Sequence, residues 1–179
     1  MILFENTYYH FYNRTINEEP LFRSRENYQY FLKKYRFYLE KHFATIAYCL
    51  MPTHFHFLVF VKETEKLSFS IKNFLVSYSK SYNNRYKRHG NLFEQHSKYK
   101  NVDDDKYLIS LMIYIHQNPV RSKLVAKPEE WEFSSYQDYI DLRKGTLPSK
   151  SIILNQIKKE ELQILTNNPI KTIDNKYWV

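Results

Sequence analysis

Two histidines one residue apart, His54 and His56, stand inside the apolar run Cys49-Leu50-Met51-Pro52-Thr53-His54-Phe55-His56-Phe57-Leu58-Val59-Phe60. In an extended strand side chains alternate between faces, so both imidazoles project one way while Phe55 and Phe57 point the other. Imidazoles about 7 Å apart along one strand face can grip a single metal ion, and the phenylalanines can anchor the strand in a core. Downstream, Tyr114 precedes Asn118 at the i,i+4 spacing that stacks two side chains on one helix face. A strand offering two histidines and a helix offering a tyrosine suggest a metal-assisted tyrosine nucleophile.

An isolated His-x-His is more often a solvated or hydrogen-bonded pair than a metal site. Here Phe55, Phe57, Val59 and Val61 supply a separate apolar face, which frees the histidines from core packing. Two ligands do not close a zinc site, so a third donor has to come from elsewhere. Asn118 is placed to offer its amide oxygen, and Gln117, His116 and Glu94 stay open as alternatives. A tyrosine on an apolar helix is usually core. Leu108, Leu111, Met112 and Ile115, however, cluster on the helical wheel, and Tyr114 and Asn118 lie together at the edge of that stripe. A protonated phenol, with a reference pKa of about 10, is a poor nucleophile. A nearby divalent cation would polarise a phosphoryl oxygen and stabilise the growing negative charge. The covalent phospho-enzyme that follows keeps the energy of the broken bond, which suits strand transfer better than hydrolysis.

The elements that must position these groups follow from periodicity. Thr7 to Arg14 alternates as a first strand, and Asn17-Glu18-Glu19-Pro20 breaks it. Ser24 can cap a helix whose stripe is Tyr28, Phe31, Leu32, Tyr35 and Leu39. Thr45 to Met51 and His54 to Val61 read as two antiparallel strands joined by the short break Pro52-Thr53. A second helix is expected from Ser70 to about Tyr86, a fourth strand within Gln95 to Val102, and a third helix opening on Asp103, Asp104 and Asp105. Asn118 precedes Pro119, which disfavours helical geometry before it and so sets Asn118 near a helix end or kink. Trp131 to Tyr136 reads as a packed cover, and from about Gly145 a polar and aliphatic tail follows, with a helix around Ile152 to Leu165. The order β-α-β-β-α-β plus a tyrosine-bearing helix is that of an α+β, ferredoxin-like split sandwich. Its antiparallel sheet would carry helices on one face and project the histidines from an open one.

Composition bounds the partners. The 179 residues hold 27 basic and 19 acidic side chains, a formal charge of +8 that favours an acidic partner such as nucleic acid. Aromatics make up 18%, with 17 tyrosines, so presence alone cannot make a tyrosine catalytic. Between Lys72 and Lys100 the bases Lys72, Lys80, Arg85, Lys87, Arg88, Lys98 and Lys100 face one acid, Glu94, with Tyr78, Tyr82 and Tyr86 interleaved. Charge for phosphates and rings for bases is the pattern of a single-strand groove, whereas inward-packed tyrosines under a solvated face is the plainer reading. The single cysteine, Cys49, excludes an intrachain disulfide and fits a reducing interior. The N-terminus lacks a signal-peptide pattern and no apolar stretch reaches membrane-spanning length, so a soluble cytoplasmic protein without membrane partners is expected.

Several blocks together resemble the small single-tyrosine transposases with a His-hydrophobe-His motif, especially the REP-associated tyrosine transposases. They are Tyr9-His10-Phe11-Tyr12-Asn13-Arg14, Leu50 to Val59, Tyr86-Lys87-Arg88-His89-Gly90-Asn91-Leu92-Phe93, Tyr114-Ile115-His116-Gln117-Asn118-Pro119-Val120-Arg121, and Trp131 to Tyr136. The resemblance implies a ferredoxin-like nuclease domain over residues 1–140 that binds a single-stranded DNA hairpin, with 141–179 an extension of unknown role. Tyr114 would attack the scissile phosphate to leave a 5′-phosphotyrosine link and a free 3′-hydroxyl. His54, His56 and Asn118 would hold magnesium or manganese. Arg14, Lys80, Arg85, Lys87, Arg88 and Arg121 are the candidate DNA contacts. Members of such families act as monomers or as homodimers that exchange the tyrosine helix. Competing readings are a non-catalytic nucleic-acid-binding module of this fold and a related nuclease of replication or plasmid transfer.

Overall fold

The computed structural model describes residues 2–168. Four strands, β1 (Tyr8–Arg14), β2 (Phe43–Met51), β3 (His54–Val61) and β4 (Lys98–Val102), form one antiparallel sheet in the order β2-β3-β1-β4. The helices are α1 (Arg25–Leu39), α2 (Leu67–Tyr86), α3 (Asp105–Arg121), α4 (Tyr136–Tyr139), α5 (Ser151–Leu154) and α6 (Lys159–Asn167). The α+β, ferredoxin-like order expected from periodicity is the one observed. Boundaries shift modestly: β2 and α2 begin earlier than periodicity placed them, β4 is confined to the end of its window, and the expected tail helix divides into α5 and α6. Among the described residues no helix is long and apolar enough to cross a membrane.

Alternation along the strands builds two cores. Phe11, Phe55 and Phe57 face α1 and α2, where Phe31, Tyr35 and Phe74 meet them; Tyr35 stacks on Phe57 with centroids 4.1 Å apart. At the start of α1, Asn27 accepts the backbone N–H groups of Arg23 and Ser24 at 3.0 and 3.2 Å, satisfying donors that a helix start leaves open. On the opposite face Leu58 joins Ile46, Ala47, Cys49 and Met51 beneath Leu108, Leu111, Met112 and Ile115 of α3. Ile46 and Ala47 share that face because the β2–β3 register slips between Thr45 and Ala47, a β-bulge. The second face is therefore open only in part: α3 covers the β2 side, and the β1–β4 side is left for a cleft. Trp131 to Tyr136 does form a cover, since Leu50 N–H donates to Phe133 and Ser135 N–H to Tyr48 along the outer edge of β2.

The described part of the polar and aliphatic tail packs against the rest of the fold. Ile153, Ile157 and Leu162 enter the α3 core, and Gln117 donates to the carbonyls of Thr166 and Asn168 at 2.9 Å each. Asp138, with a side chain 1% exposed, is clasped by Arg143 through Nε and Nη2 at 2.7 Å and accepts Gly145 N–H at 3.0 Å. A Cβ at Gly145 would lie 2.3 Å from that carboxylate, so only glycine fits. Arg143 also donates to the carbonyls of Glu132 and Ser134, so Asp138→Ala strips a half-buried cation of its partner. Urea unfolding should show a loss of about 3 kcal/mol.

Candidate active site

The β1–β3 register sets Tyr12 opposite His56 and Arg14 opposite His54, and the β1–β4 register sets Lys98 opposite Tyr12 and Lys100 opposite His10. With a period of two, all seven side chains leave the same sheet face. The C-terminal half of α3 crosses that face and adds Tyr114 and Asn118. These walls enclose an open cleft of about 520 Å³, whose rim also includes Glu94.

Both motif histidines have one ring nitrogen tied down. His54 Nδ1 lies 3.1 Å from the Thr53 hydroxyl, and His56 Nδ1 lies 3.0 Å from His10 Nε2. Their Nε2 atoms make no hydrogen bond to the described residues. Ring centroids are 4.9 Å apart. Burial, reinforced by the Arg14 charge, pushes His54 down to about 4; burial and the neighbouring imidazoles of His10 and His54 hold His56 well below its ordinary value. Both rings are thus neutral near pH 7, the form that ligates metal. Among the described residues no group of three His, Cys, Asp or Glu side chains could hold a metal ion. Two imidazoles and an amide would fit an open divalent-cation site with positions left for phosphate or water oxygens, not a closed structural one.

Tyr114 is 8% exposed, and its ring meets His56 edge-on with centroids 6.3 Å apart. Burial holds its phenol above the ordinary range, opposed by Arg121, whose guanidinium carbon sits 5.4 Å from the ring centre. Asn118 lies near its helix end, as Pro119 implied, in the last turn of α3; the helix nevertheless takes Pro119 inside it and closes at Arg121. The physical reason lies in Asn118 itself. Pro119 has no N–H for the carbonyl of Ile115, four residues back. The Asn118 amide nitrogen reaches that carbonyl at 3.4 Å and the Tyr114 carbonyl at 3.1 Å. With the nitrogen turned onto the helix, the amide oxygen is the end available to the cleft.

The other sequence candidates divide. Glu94 stays at the cleft rim, 2.5 Å from Arg14 Nε. His116 is fully buried, 2.8 Å from the Ser135 hydroxyl between Tyr136 and Tyr139, and Gln117 tethers α6, so neither can serve as the third donor. Lys80 lines a groove that reaches Glu94, whereas Arg85 lines a groove between α1 and α2 on the far side of the sheet. Lys87 is the left-handed residue closing α2, and Arg88 spends its guanidinium on Glu19, Asn83 and the loop carbonyls of Gly90 and Asn91. Tyr78 and Tyr82 are core residues whose hydroxyls donate to the carbonyls of Leu21 and Pro20, and Tyr86 donates to Asn27 at 2.7 Å. A base-stacking role is overturned for Tyr78 and Tyr82: buried phenols need acceptors, and these find them inside, whereas Tyr86 is half-buried. Sequence reasoning missed His10 and Tyr12 as members of the site. Their alternation with Arg14 was the available signal, but it acquires meaning only through the β1–β3 register.

Comparisons with known proteins fit this geometry. No curated protein matches the chain. Among solved structures, the REP-associated tyrosine transposase solved bound to a REP hairpin superposes with a TM-score of 0.64 at 14% identity, covering 79% of this chain and 83% of that one. That likeness is one of fold. A family model described as "Transposase IS200 like" matches residues 3–118, a span that runs from ahead of β1 through His54, His56, Tyr114 and Asn118. With well over half of its length inside that match, the chain belongs to the IS200-like transposase family.

Proposed function

We propose that this transposase cuts and rejoins single-stranded DNA beside a hairpin, with Tyr114 as the nucleophile. The observation that carries the proposal is the placement of the Tyr114 ring edge-on to His56 within one cleft of one chain. Tyr114 Oη attacks the scissile phosphorus; a bond from phosphorus to the phenol oxygen forms as the bond to the 3′ oxygen breaks. The phenol proton is lost and the departing 3′ oxygen gains one, so the exchange balances: the upstream fragment leaves with a free 3′-hydroxyl and the downstream fragment stays joined to Tyr114 through its 5′ phosphate. Attack by another 3′-hydroxyl reverses the sequence and returns a proton to the phenol.

His54, His56 and the amide oxygen of Asn118 would hold magnesium or manganese; when bound, such a cation supplies Lewis-acid polarisation of the phosphoryl oxygen. Arg14, Lys98 and Lys100 line the cleft and neutralise phosphate charge along the strand, and Arg121 steadies the developing phenolate from the ring face. Lys80, Arg85, Lys87 and Arg88 lie outside the cleft and act through the general field that attracts DNA. All reacting groups come from one chain, which supports a monomer acting alone. The hairpin in the solved relative supports a DNA hairpin as the ligand.

The test is incubation of the chain with labelled single strands carrying a hairpin and manganese, followed by denaturing gels. A shifted band that survives boiling and disappears with protease is expected; hairpin binding with no such band in magnesium or manganese would leave only a binding module. The raised phenol also sets a pH dependence. Because phenolate is scarce near neutrality, single-turnover adduct formation should climb by up to about tenfold per pH unit between about pH 7 and about pH 9. Arg121→Met should slow it at fixed pH, since the cation that pulls the phenol pKa down is gone. A flat pH profile would place a step other than phenol activation in control.

A further inference from the structure

His10 lies on β1 with no exposed surface, and its Nε2 stands 3.0 Å from Nδ1 of His56, the rings stacked at 5.1 Å. Its other nitrogen, Nδ1, is buried without a hydrogen-bond partner. An orphaned buried nitrogen is a cost that an apolar ring of the same shape would avoid. Packing therefore does not account for an imidazole here. What an apolar ring could not do is bond to His56.

A histidine that ligates through Nε2 keeps its proton on Nδ1, and that proton needs an acceptor. His54 leans on the Thr53 hydroxyl, which can donate or accept and so selects neither tautomer. The nitrogen facing His56 is different. When His10 carries its own proton on Nδ1, its Nε2 can only accept. If His10 carries its proton on Nε2 instead, the bond reverses, and His56 is left with a proton where a cation would bind. No charge changes between the two arrangements.

We propose that His10 is a positioning residue that accepts the Nδ1–H of His56 and so fixes the tautomer and ring angle in which His56 Nε2 offers its lone pair to a divalent cation in the cleft. This rests on the reading of His54 and His56 as cation ligands. It also explains why a residue outside the His-x-His motif, 46 positions upstream of His56, is buried against it.

The test titrates manganese into the full-length chain by calorimetry for the wild type, His10→Phe and His10→Gln. His10→Phe keeps a ring stacked on His56 but has no acceptor. Its manganese affinity should fall about 10- to 100-fold while the chain stays folded at the temperature of the titration. His10→Gln, which restores an acceptor oxygen, should recover most of the affinity. In the magnesium-loaded wild type, imidazole nitrogen shifts should show His56 protonated on Nδ1. Wild-type affinity in His10→Phe would overturn the assignment while leaving the cation reading intact; a loaded His56 protonated on Nε2 would overturn the assignment and remove His56 from the cation ligands. A wild type that binds neither ion would bring down both. If His10→Phe fails to fold, the wild-type shifts decide.

Discussion

Tyr114→Phe should leave hairpin binding within about fivefold of wild type, the worth of at most one hydrogen bond of about 1 kcal/mol, and should abolish the boiling-resistant DNA adduct completely. The substitution removes one oxygen and keeps the ring. The edge-on contact with His56 and the Arg121 guanidinium over the ring face therefore persist, and no cavity opens in the α3 core. Affinity comes from cleft cations that the substitution does not touch, chiefly Arg14, Lys98 and Lys100. The reaction cannot survive, because the covalent bond needs the deleted atom. Among the described residues Tyr12 is the other tyrosine lining the cleft, and its ring is 6.0 Å from that of His56. It supplies the control: Tyr12→Phe should still form the adduct. An adduct that persists in Tyr114→Phe and vanishes in Tyr12→Phe would move the nucleophile from α3 to β1.

How far the site was legible follows from which geometry was local. The side-by-side projection of His54 and His56 needs only the two-residue period of a strand, and the Tyr114–Asn118 pair only the helical period. Both are visible in sequence and both hold. His10 and Tyr12 depend on the pairing of β1 with β3, a register that the sequence of either strand alone does not specify. Pro119 set Asn118 near a helix end, and it lies in the last turn of α3, where Asn118 turns its amide onto the carbonyl that proline leaves unmatched. Tyr78, Tyr82 and Tyr86 share a spacing that serves a stacking platform and a core stripe equally well. For Tyr78 and Tyr82 the carbonyls of Leu21 and Pro20, supplied by a segment about sixty residues earlier, decided for the core. The tail shows the same limit: Ile153, Ile157 and Leu162 look like scattered aliphatics until α3 is seen beneath them.

The histidines differ in what else they support, which makes His54→Ala the sharper test of the cation. His54 is half-buried and bonded only to the neighbouring Thr53 hydroxyl, so its removal should change stability by no more than about 1 kcal/mol. His56 is 3% exposed and paired with His10; His56→Ala opens a cavity and strands His10 Nε2, costing about 2–4 kcal/mol. In both variants cation-dependent cleavage should fall by about 10³-fold, the loss of about 4 kcal/mol of Lewis-acid stabilisation. For His54→Ala that fall should come without a shift in melting temperature and with hairpin binding preserved. The remaining imidazole and the Asn118 amide keep part of the donor set, so raising manganese well above the wild-type requirement should return a fraction of the lost rate in His54→Ala. Cleavage by His54→Ala at the wild-type rate, indifferent to a chelator, would remove the cation from the reaction. Tyr114 would then have to be activated by the protein's own cations, Arg121 beside its ring foremost, and the steep rise of adduct formation with pH would have to hold in chelator as well.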